Sequence, residues 1–308
     1  MATFCETALQ NGYRAVIVPF SQLADLRTEI ENFAATTELN DFTKFIFGQY
    51  EFAPPELPFE AKSIIMTATP HPCCSEVIFA LGGKSYKVYT ANTPANSATL
   101  DYVTKAVSDA GFSITPTSFW FPFKRFAVQS GLCEYGRNNI AYAPGLGSYV
   151  SIDAYYTDMP SDEDMWREAV TASACEGCTI CESVCPTEAI ITDKFLIDNT
   201  KCLCGLNEGP GDEFPPFVPK DAHHAVVGCM RCQFNCPMNA PFNANICPPV
   251  YFTEAETARL LQGAPYDDLE GDLLEKFKAL ELYFAGNLPR NLCVCFDLID
   301  AGGECSLT

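Results

Sequence analysis

The spacing of ten cysteines between residues 175 and 247 is the strongest constraint on what this chain can fold into. Residues 175–186 (CEGCTICESVCP) have the spacing C-x2-C-x2-C-x3-C-P, and residues 229–237 (CMRCQFNCP) repeat its last part, C-x2-C-x3-C-P. Thiolates with this spacing hold pairs of 4Fe–4S clusters, and the fourth Cys of each run binds the cluster of the other run. The stretch therefore predicts a small domain that holds two such clusters.

Crossed ligation divides eight of these Cys into two sets. The set predicted for the first cluster is Cys175, Cys178, Cys181 and Cys236. The set predicted for the second cluster is Cys185, Cys202, Cys229 and Cys232. An insertion separates Cys202 from the rest of its run, which leaves Cys204 as an alternative ligand. Zinc is the alternative metal because it also binds C-x2-C pairs, but the two C-x3-C-P endings favour clusters.

Charge and hydropathy exclude several classes of protein. The chain has 308 residues, with 19 Lys and Arg against 39 Asp and Glu, a net charge of −20. This charge argues against a nucleic-acid partner, which needs basic residues at the phosphates. No apolar run reaches the roughly 18 residues of a membrane span, and no Sec or twin-arginine signal is recognisable. We therefore predict a cytoplasmic protein, whose reducing surroundings favour metal binding over disulfides.

The sequence before the Cys-rich stretch has the pattern of a mixed α/β domain. β-Branched and aromatic residues predict strands at residues 13–20, 61–68, 77–81 and 85–90. Apolar residues at helical spacing predict helices at residues 22–34, capped by Ser21, and 96–110, stopped by Gly111. Elements of this kind are typical of a mixed sheet flanked by helices.

Shifts in composition predict three domains. Residues 1–160 carry 10 basic and 15 acidic side chains, a net charge of −5, whereas residues 161–308 carry 9 and 24, a net charge of −15. The predicted domains are residues 1–160, 161–250 and 251–308. Helices are predicted at residues 161–170, capped by Ser161, at 253–262, capped by Thr253, and at 269–283. The run 292–299 (LCVCFDLI) alternates like a strand.

At this point the sequence resembles a known family. Residues 175–190 (CEGCTICESVCPTEAI) and 228–239 (GCMRCQFNCPMN) resemble the double-cluster domain of epoxyqueuosine reductases, which also closes the corrinoid-dependent reductive dehalogenases. Residues 124–139 (KRFAVQSGLCEYGRNN) and 157–160 (TDMP) are similar to stretches of the dehalogenase branch. The resemblance implies an α+β fold: a nitroreductase-like mixed-sheet domain, a bacterial-ferredoxin-like double-cluster domain and a C-terminal helical extension.

The resemblance also implies a function. The chain would be an iron–sulfur oxidoreductase that takes electrons from a low-potential donor such as ferredoxin or flavodoxin. The two clusters would pass them to a base-off cobalamin in the first domain, which reduces a small substrate as in the dehalogenases. One alternative is a cobalamin-free electron-transfer protein or reductive activator of a corrinoid protein partner. A further alternative is a tRNA epoxyqueuosine reductase, although the net charge makes nucleic acid an unfavourable partner.

The same resemblance assigns residues to a cofactor and substrate site. The cofactor contacts that it implies are Lys124, Gly131, Leu132, Cys133, Gly136 and Asn138. Tyr135 and Arg137 lie beside these positions and are the candidate catalytic residues, because a Tyr can donate a proton to a carbanion and an Arg can lower the pKa of that Tyr or hold an anionic substrate. Alternatively, Tyr135 packs in the core and Arg137 pairs with a carboxylate. The proton-donating Asp that epoxyqueuosine reductases place before this stretch is replaced here by Thr117.

The remaining motifs have less specific interpretations. Cys73 and Cys74 are adjacent and follow His71 and Pro72, which is compatible with a metal or redox site or with ordinary thiols. His223 and His224 are predicted to be loop residues beside the second cluster.

Overall fold

The computed structural model describes residues 2–93, 97–161, 165–191, 196–282 and 286–308. The strands, in chain order, are β1 (Arg14–Pro19), β2 (Ser63–Pro70), β3 (Cys74–Leu81), β4 (Lys84–Thr90), β5 (Ile114–Pro116), β6 (Glu134–Tyr135), β7 (Ala141–Tyr142), β8 (Val150–Thr157), β9 (Ala225–Val227) and β10 (Ile246–Phe252). The helices, in chain order, are α1 (Ala2–Gln10), α2 (Gln22–Thr36), α3 (Asp41–Gln49), α4 (Ser97–Asp109), α5 (Phe123–Gln129), α6 (Ile180–Ser183), α7 (Leu203–Glu208), α8 (Arg231–Phe234), α9 (Glu254–Leu261), α10 (Gly271–Ala279) and α11 (Leu288–Asp300). The predicted α+β fold class is confirmed.

The chain forms two compact units that are not consecutive blocks of sequence. The first contains Met1–His71 and Asn96–Glu176, and the second contains Pro72–Ala95 and Gly177–Thr308. Strands β3 and β4 therefore belong with the Cys-rich half, because β3 pairs with β10 and β4 pairs with β9. Within the described residues, no helix is long and apolar enough to cross a membrane.

The first unit is built on an antiparallel sheet with the strand order β1-β2-β8-β5. Side chains of β2 alternate between its two faces, as the pleat of a strand requires. Ile64 and Met66 pack with Leu26 of α2 and Phe126 of α5, whereas Ile65 packs in a separate cluster with α4. The sheet thus has a buried layer on each face, which explains why β2 is buried along nearly its whole length, including its Ser and Thr residues.

The second unit is built on a mixed sheet with the strand order β10-β3-β4-β9. The outer pairs, β10 with β3 and β4 with β9, are parallel, and the central pair is antiparallel. Helices α9, α10 and α11 cover it through a core that includes Phe252, Leu260, Phe277 and Leu292. The C-terminal helices therefore share their core with the sheet of the Cys-rich unit.

Most of the predicted elements are confirmed, and the exceptions have physical reasons. Thr253 is the N-cap of α9 as predicted, and the structure adds a capping box with Glu256. Ser21 precedes α2, but its backbone is already helical and its side chain makes no cap bond. Residues 165–170 are not helical, so the prediction of a helix there is wrong; residues 162–164 lie outside the described part. Predicted helix ends at Asn96 and Tyr283 also fall outside it.

The run 292–299 forms part of α11, so the strand prediction for it is wrong. Leu288, Leu292, Cys295 and Phe296 are buried on one face of the helix, while Cys293 is exposed. Their spacing of three and four residues is helical. The strand-like run 292–299 is thus a short part of the helical pattern of apolar residues that extends along α11.

Candidate iron–sulfur site

The two Cys runs fold into the same local structure. Each contains a single helical turn, α6 in the first run and α8 in the second, and the two turns contact each other. The matching backbone bonds are Val184 N–H to Ile180 O and Asn235 N–H to Arg231 O, both 3.1 Å, and Cys185 N–H to Glu182 O and Cys236 N–H to Gln233 O, 3.2 and 3.1 Å. The sequence repeat is therefore also a structural repeat, as two equivalent half-sites require.

Within the second unit, Cys185 of the first run lies near Cys202 and Cys229 of the second set. Burial raises the pKa of Cys229 to about 12, and the charges of Cys202 and Cys185 contribute to the increase. Burial raises the pKa of Cys202, and Cys185 again contributes. Cys185 is thus close enough to Cys202 and Cys229 for its charge to act on both thiols, and their ligation of one cluster stays a prediction.

The surroundings of Cys202 and Cys204 differ. Cys202 is the N-cap residue of α7, whereas Cys204 lies inside that helix and its thiol donates to Glu208 Oε1 at 3.3 Å. Burial and the charge of Glu208 both raise the pKa of Cys204. A thiol beside a carboxylate loses its proton less readily, and iron binds the thiolate. Glu208 also raises the pKa of Cys202, and the charges of both Cys202 and Cys204 interact with Cys229, so the choice between the two ligands stays a prediction.

Three buried polar side chains hold the segment before Cys229, and the sequence analysis singled out only His224 among them. Asn207 Nδ2 donates to Gly228 O at 2.6 Å, and Asn291 Nδ2 of α11 donates to Asn207 O at 2.8 Å. His224 Nε2 hydrogen bonds to Cys229 O. Both Asn are buried polar residues next to apolar runs, but only the fold shows which backbone groups they meet.

Cys175, the first ligand predicted for the first cluster, lies in the first unit beside Arg137. Arg137 N–H donates to Cys175 Sγ at 3.4 Å, and its Nη2 donates to Cys175 O at 3.0 Å. Hydrogen bonds and positive charge next to a cluster thiolate stabilise its anionic form and adjust the reduction potential. The residue that the resemblance placed in catalysis therefore lies at a predicted cluster ligand.

Tyr135 is buried, with 2% of its surface exposed, and its partner is Arg125 instead of Arg137. Burial raises the pKa of Tyr135 above its usual value, although the hydrogen bond and the charge of Arg125 act against this. Arg125 also pairs with Glu29, which accepts a further bond from Gln129. The phenol is thus held protonated in the core, beside an Arg that is itself neutralised by a carboxylate.

The turn of residues 131–139 is packed on the protein itself. Leu132 and Cys133 have no exposed surface, and burial raises the pKa of Cys133 to about 12. A Cβ atom at Gly136 would overlap the ring of Tyr142 and the Oδ1 atom of Asn138. The side chains at these positions therefore pack on the protein itself, and their assignment as cofactor contacts stays a prediction from the resemblance.

Gly131 and Lys124 have structural roles in the same turn. Gly131 adopts φ +78°, a left-handed conformation that favours glycine. The ammonium group of Lys124 donates to the Oδ1 and main-chain O of Asn139, at 2.6 and 3.0 Å. Their assignment as cofactor contacts stays a prediction from the resemblance.

The first sheet contains a half-buried carboxyl group that the sequence interpretation missed. Asp153 lies in β8 opposite Thr67 of β2, and burial raises its pKa. An Asp within the apolar and aromatic run of residues 150–157 (VSIDAYYT) is the signal that could have revealed it. The group is an acid that holds its proton more tightly than an exposed carboxyl does.

We expect Asp153→Asn to stabilise the first unit at pH 7. At low pH the carboxyl is protonated in both folded and unfolded chains, so the two proteins should be equally stable. As pH rises through the elevated folded pKa, wild type must ionise a buried group and loses stability, whereas Asn does not. Urea unfolding followed by Trp fluorescence measures this, since Trp120 and Trp166 both lie in the first unit. Asp101→Asn, on the exposed side of α4, is the control, and an advantage of Asp153→Asn that is equal at pH 4 and pH 7 would contradict the assignment.

Within the described ranges, no group of three or more His, Cys, Asp or Glu side chains converges on the position of a single metal ion. A 4Fe–4S cluster makes a different demand, because each thiolate binds a different iron atom of the cube. The chemistry of the donor set fits such clusters: thiolates from two equivalent turns, with N–H donors at sulfur. One donor is Arg137 N–H at Cys175 Sγ, and another is Ala189 N–H at Cys185 Sγ, at 3.3 Å.

Residues 174–239 match the family model of the 4Fe–4S double cluster binding domain. This range contains all eight predicted ligands. Together with the two equivalent turns, the match defines the chain as a protein with a double 4Fe–4S cluster binding domain.

Curated relatives with similar sequences are epoxyqueuosine reductases. The protein of Atelocyanobacterium thalassa (isolate ALOHA) is 27% identical over 121 residues, covering 39% of this chain and 38% of the relative. The Bacillus cereus protein is 32% identical over 115 residues, covering 36% of this chain and 28% of the relative. That of Alicycliphilus denitrificans is 28% identical over 162 residues, covering 53% and 43%. The chain thus spans less than half the length of each of these relatives, and the resemblance to epoxyqueuosine reductases is confirmed.

Solved structures of epoxyqueuosine reductases share the fold. A selenomethionine-labelled one has a TM-score of 0.64 at 18% identity, covering 96% of this chain and 80% of that chain. The Streptococcus thermophilus enzyme has a TM-score of 0.58 at 16% identity, covering 98% and 86%. A third, with an epoxyqueuosine-modified tRNA stem loop, has a TM-score of 0.61 at 17% identity, covering 96% and 80%. For a catabolic reductive dehalogenase the TM-score is only 0.34, which is too low to support an assignment to the dehalogenase branch.

Proposed function

We propose that this chain is an iron–sulfur oxidoreductase of the epoxyqueuosine reductase type. The observation that carries the proposal is the fold shared over 96% of the chain, combined with a double-cluster domain that contains all eight predicted Cys ligands. The activity would be a reduction in which electrons arrive singly at the clusters and leave toward a substrate. A low-potential donor such as ferredoxin or flavodoxin fits this role.

The Cys residues of the chain would hold the two clusters. When bound, the clusters supply single electrons at low potential. Cys185 would connect the two runs, because it comes from the first run and its charge acts on Cys202 and Cys229 of the second set. Arg137 supports Cys175 through its N–H group and its guanidinium group. Contact between α6 and α8 keeps the two half-sites together, which electron transfer between clusters requires.

The substrate proposal is an epoxide on a modified tRNA nucleoside. It is favoured over a small organohalide because the curated relatives are epoxyqueuosine reductases, whereas the likeness to a dehalogenase is too low to support an argument. Reduction of an epoxide to an alkene takes up two electrons and two protons and releases water. Cobalamin is implied only by the resemblance, and we assign no step to it.

Two features of the chain differ from what that substrate would favour. The net charge of −20 repels a polyanion. Thr117 stands where the resemblance implies a proton-donating acid, directly after β5, and its N–H donates to Ala154 O at 2.9 Å. A hydroxyl of ordinary pKa is a poor proton donor, so we expect Thr117→Asp to raise the rate of epoxide reduction if the reaction is of this type.

The test is anaerobic reconstitution followed by an assay with an epoxyqueuosine-modified tRNA stem loop, with and without added cobalamin. We expect about eight irons per chain and loss of one oxygen atom from the nucleoside, detected by mass spectrometry. Cys232→Ala should abolish turnover, whereas Cys293→Ala, at an exposed position of α11, should not. A protein with full iron content that leaves the epoxide intact and dehalogenates an aryl bromide instead would overturn the substrate proposal.

A further inference from the structure

The second unit contains a cavity of about 830 Å³, and its described lining residues include no predicted cluster ligand. One wall is the loop of residues 211–218, and the other is the side of α11 that carries Val294. This volume is typical of small-molecule sites. Phe214 and Val218 of the loop pack in the same small core as the predicted ligand Cys229. The cavity therefore lies beside the predicted second cluster without being part of its ligand set.

A buried histidine at this cavity has an unpaired polar atom. His223 lines the cavity with only 4% of its surface exposed, and its Nδ1 atom has no hydrogen-bond partner among the described residues. Burial lowers the pKa of His223 to about 4, and the charges of His224 and Arg290 contribute, so the ring is neutral at pH 7. An unpaired buried polar atom is unfavourable. A ligand hydroxyl, which both donates and accepts, can pair with either tautomer of a neutral imidazole.

The guanidinium group of Arg290, which also lines the cavity, is already engaged with the loop. It donates to Gly211 O at 3.0 Å and to Leu206 O at 2.7 Å. Its Cζ atom lies 4.2 Å from the centre of the Phe214 ring, and the charge of Asp212 acts on it. Arg290 therefore holds the loop wall in place, and a neighbouring carboxylate balances its charge.

The remaining charges at the rim of the cavity favour a cationic ligand. Glu213, Asp297 and Lys220 are exposed lining residues, and none of them forms a salt bridge within the part of the chain that the structure describes. These are two carboxylates against one ammonium group, in a chain whose net charge is −20. An anionic ligand would therefore be repelled and a cation attracted.

His223 and Asp297 belong to different ends of the cavity. The Phe214 ring connects His223 to Arg290, because its centre is 4.4 Å from the His223 ring and 4.2 Å from Arg290 Cζ. Asp297 follows Arg290 by two turns of α11, about 10 Å along the helix axis. An extended aromatic amine with a two-carbon side chain has a similar separation between a hydroxyl on its ring and its ammonium group.

We propose that this cavity binds an aromatic amine that carries a hydroxyl group on its ring. The ring packs on the apolar walls at Val218 and Val294, the hydroxyl forms a hydrogen bond with His223, and the ammonium group pairs with Asp297. The site goes beyond the proposed redox function and does not depend on it.

Calorimetric titration of the reconstituted holoprotein under anaerobic conditions tests the proposal with four matched ligands. Tyramine has both the ring hydroxyl and a cationic side chain. Phenethylamine lacks the hydroxyl, tyrosol has a neutral side chain, and hydroxyphenylacetate has an anionic one. We expect tyramine to bind at one saturable site, and phenethylamine and tyrosol to bind about threefold to tenfold more weakly, as the loss of one polar interaction predicts. Hydroxyphenylacetate should bind most weakly.

Four variants locate the ligand. Asp297→Asn should weaken tyramine about twofold to fivefold and leave tyrosol unchanged, since only the former carries the charge. Asp272→Asn makes the same charge change at an exposed position of α10 outside the cavity and should have no effect. His223→Phe should reduce the affinity for tyramine to that for phenethylamine. If this variant does not fold, the two amines compared on wild type measure the same interaction. Val294→Trp fills the cavity and should abolish binding of all four ligands.

Three results would overturn the inference. They are the absence of saturable tyramine binding, equal affinity for tyramine and hydroxyphenylacetate, and tyramine binding that Val294→Trp leaves unchanged. Iron content and epoxide reduction are measured on the same samples. Epoxide reduction without tyramine binding refutes only this site. Tyramine binding by an iron-loaded protein that leaves the epoxide intact refutes only the proposed function.

Discussion

Cys185→Ala should remove the same cluster as Cys229→Ala, although the two residues belong to different Cys runs. The reason is that Cys185 acts electrostatically on both Cys202 and Cys229 within the second unit. Each single variant should retain about half of the wild-type iron, because only one of two 4Fe–4S clusters is lost. Iron analysis, together with electron paramagnetic resonance of the reduced proteins, should show the same surviving signal in both.

Double variants make this expectation sharper. Cys185→Ala combined with Cys229→Ala should lose no more iron than either change alone, because both ligands serve one cluster. Cys185→Ala combined with Cys178→Ala should lose nearly all iron, because the two serve different clusters. Cys293→Ala is the matched control at an exposed thiol. Near-complete loss in the first double variant, with half retained in the second, would show that each run holds its own cluster.

Gly228→Ala should destabilise the second unit and the cluster site that begins at the next residue. Gly228 has φ +75°, which L residues avoid, and an added Cβ would overlap the Cβ of Ala91. The left-handed conformation costs about 1–2 kcal/mol and overpacking typically about 1–3 kcal/mol. We therefore expect a loss of roughly 2–5 kcal/mol in the free energy of unfolding. Urea titration of the visible cluster absorbance measures it as a lower midpoint.

Two further variants separate the contributions to this loss. Gly82→Ala, in the turn between β3 and β4, has φ +59° and no atom within 4 Å of the added Cβ, so it carries only the conformational cost. Ala91→Gly in the Gly228→Ala background removes the overlap and should recover the packing part. An equal loss in the free energy of unfolding for Gly228→Ala and Gly82→Ala would contradict the close contact between Ala91 and Gly228.

Local sequence predicted two equivalent Cys turns because each turn depends on residues that are close in the chain. The C-x3-C-P spacing places two ligands around one helical turn, and the turns at α6 and α8 have matching hydrogen bonds. The capping box at Thr253 and the helices α2 and α4 were predictable for the same reason, since their signals lie within a few residues. The strand prediction for residues 292–299 was wrong because a short apolar run is compatible with both the helical and the strand periodicity.

The sequence by itself thus determined the double 4Fe–4S cluster domain, the α+β class and the resemblance to epoxyqueuosine reductases. Only the tertiary structure decided that Arg125, instead of Arg137, reaches Tyr135, and that Arg137 meets Cys175. It alone brought Cys73 to Asn243, 170 positions away along the chain. The physical reason is that such contacts depend on sheet register and on the packing of distant segments, for which no short pattern in the chain carries a signal.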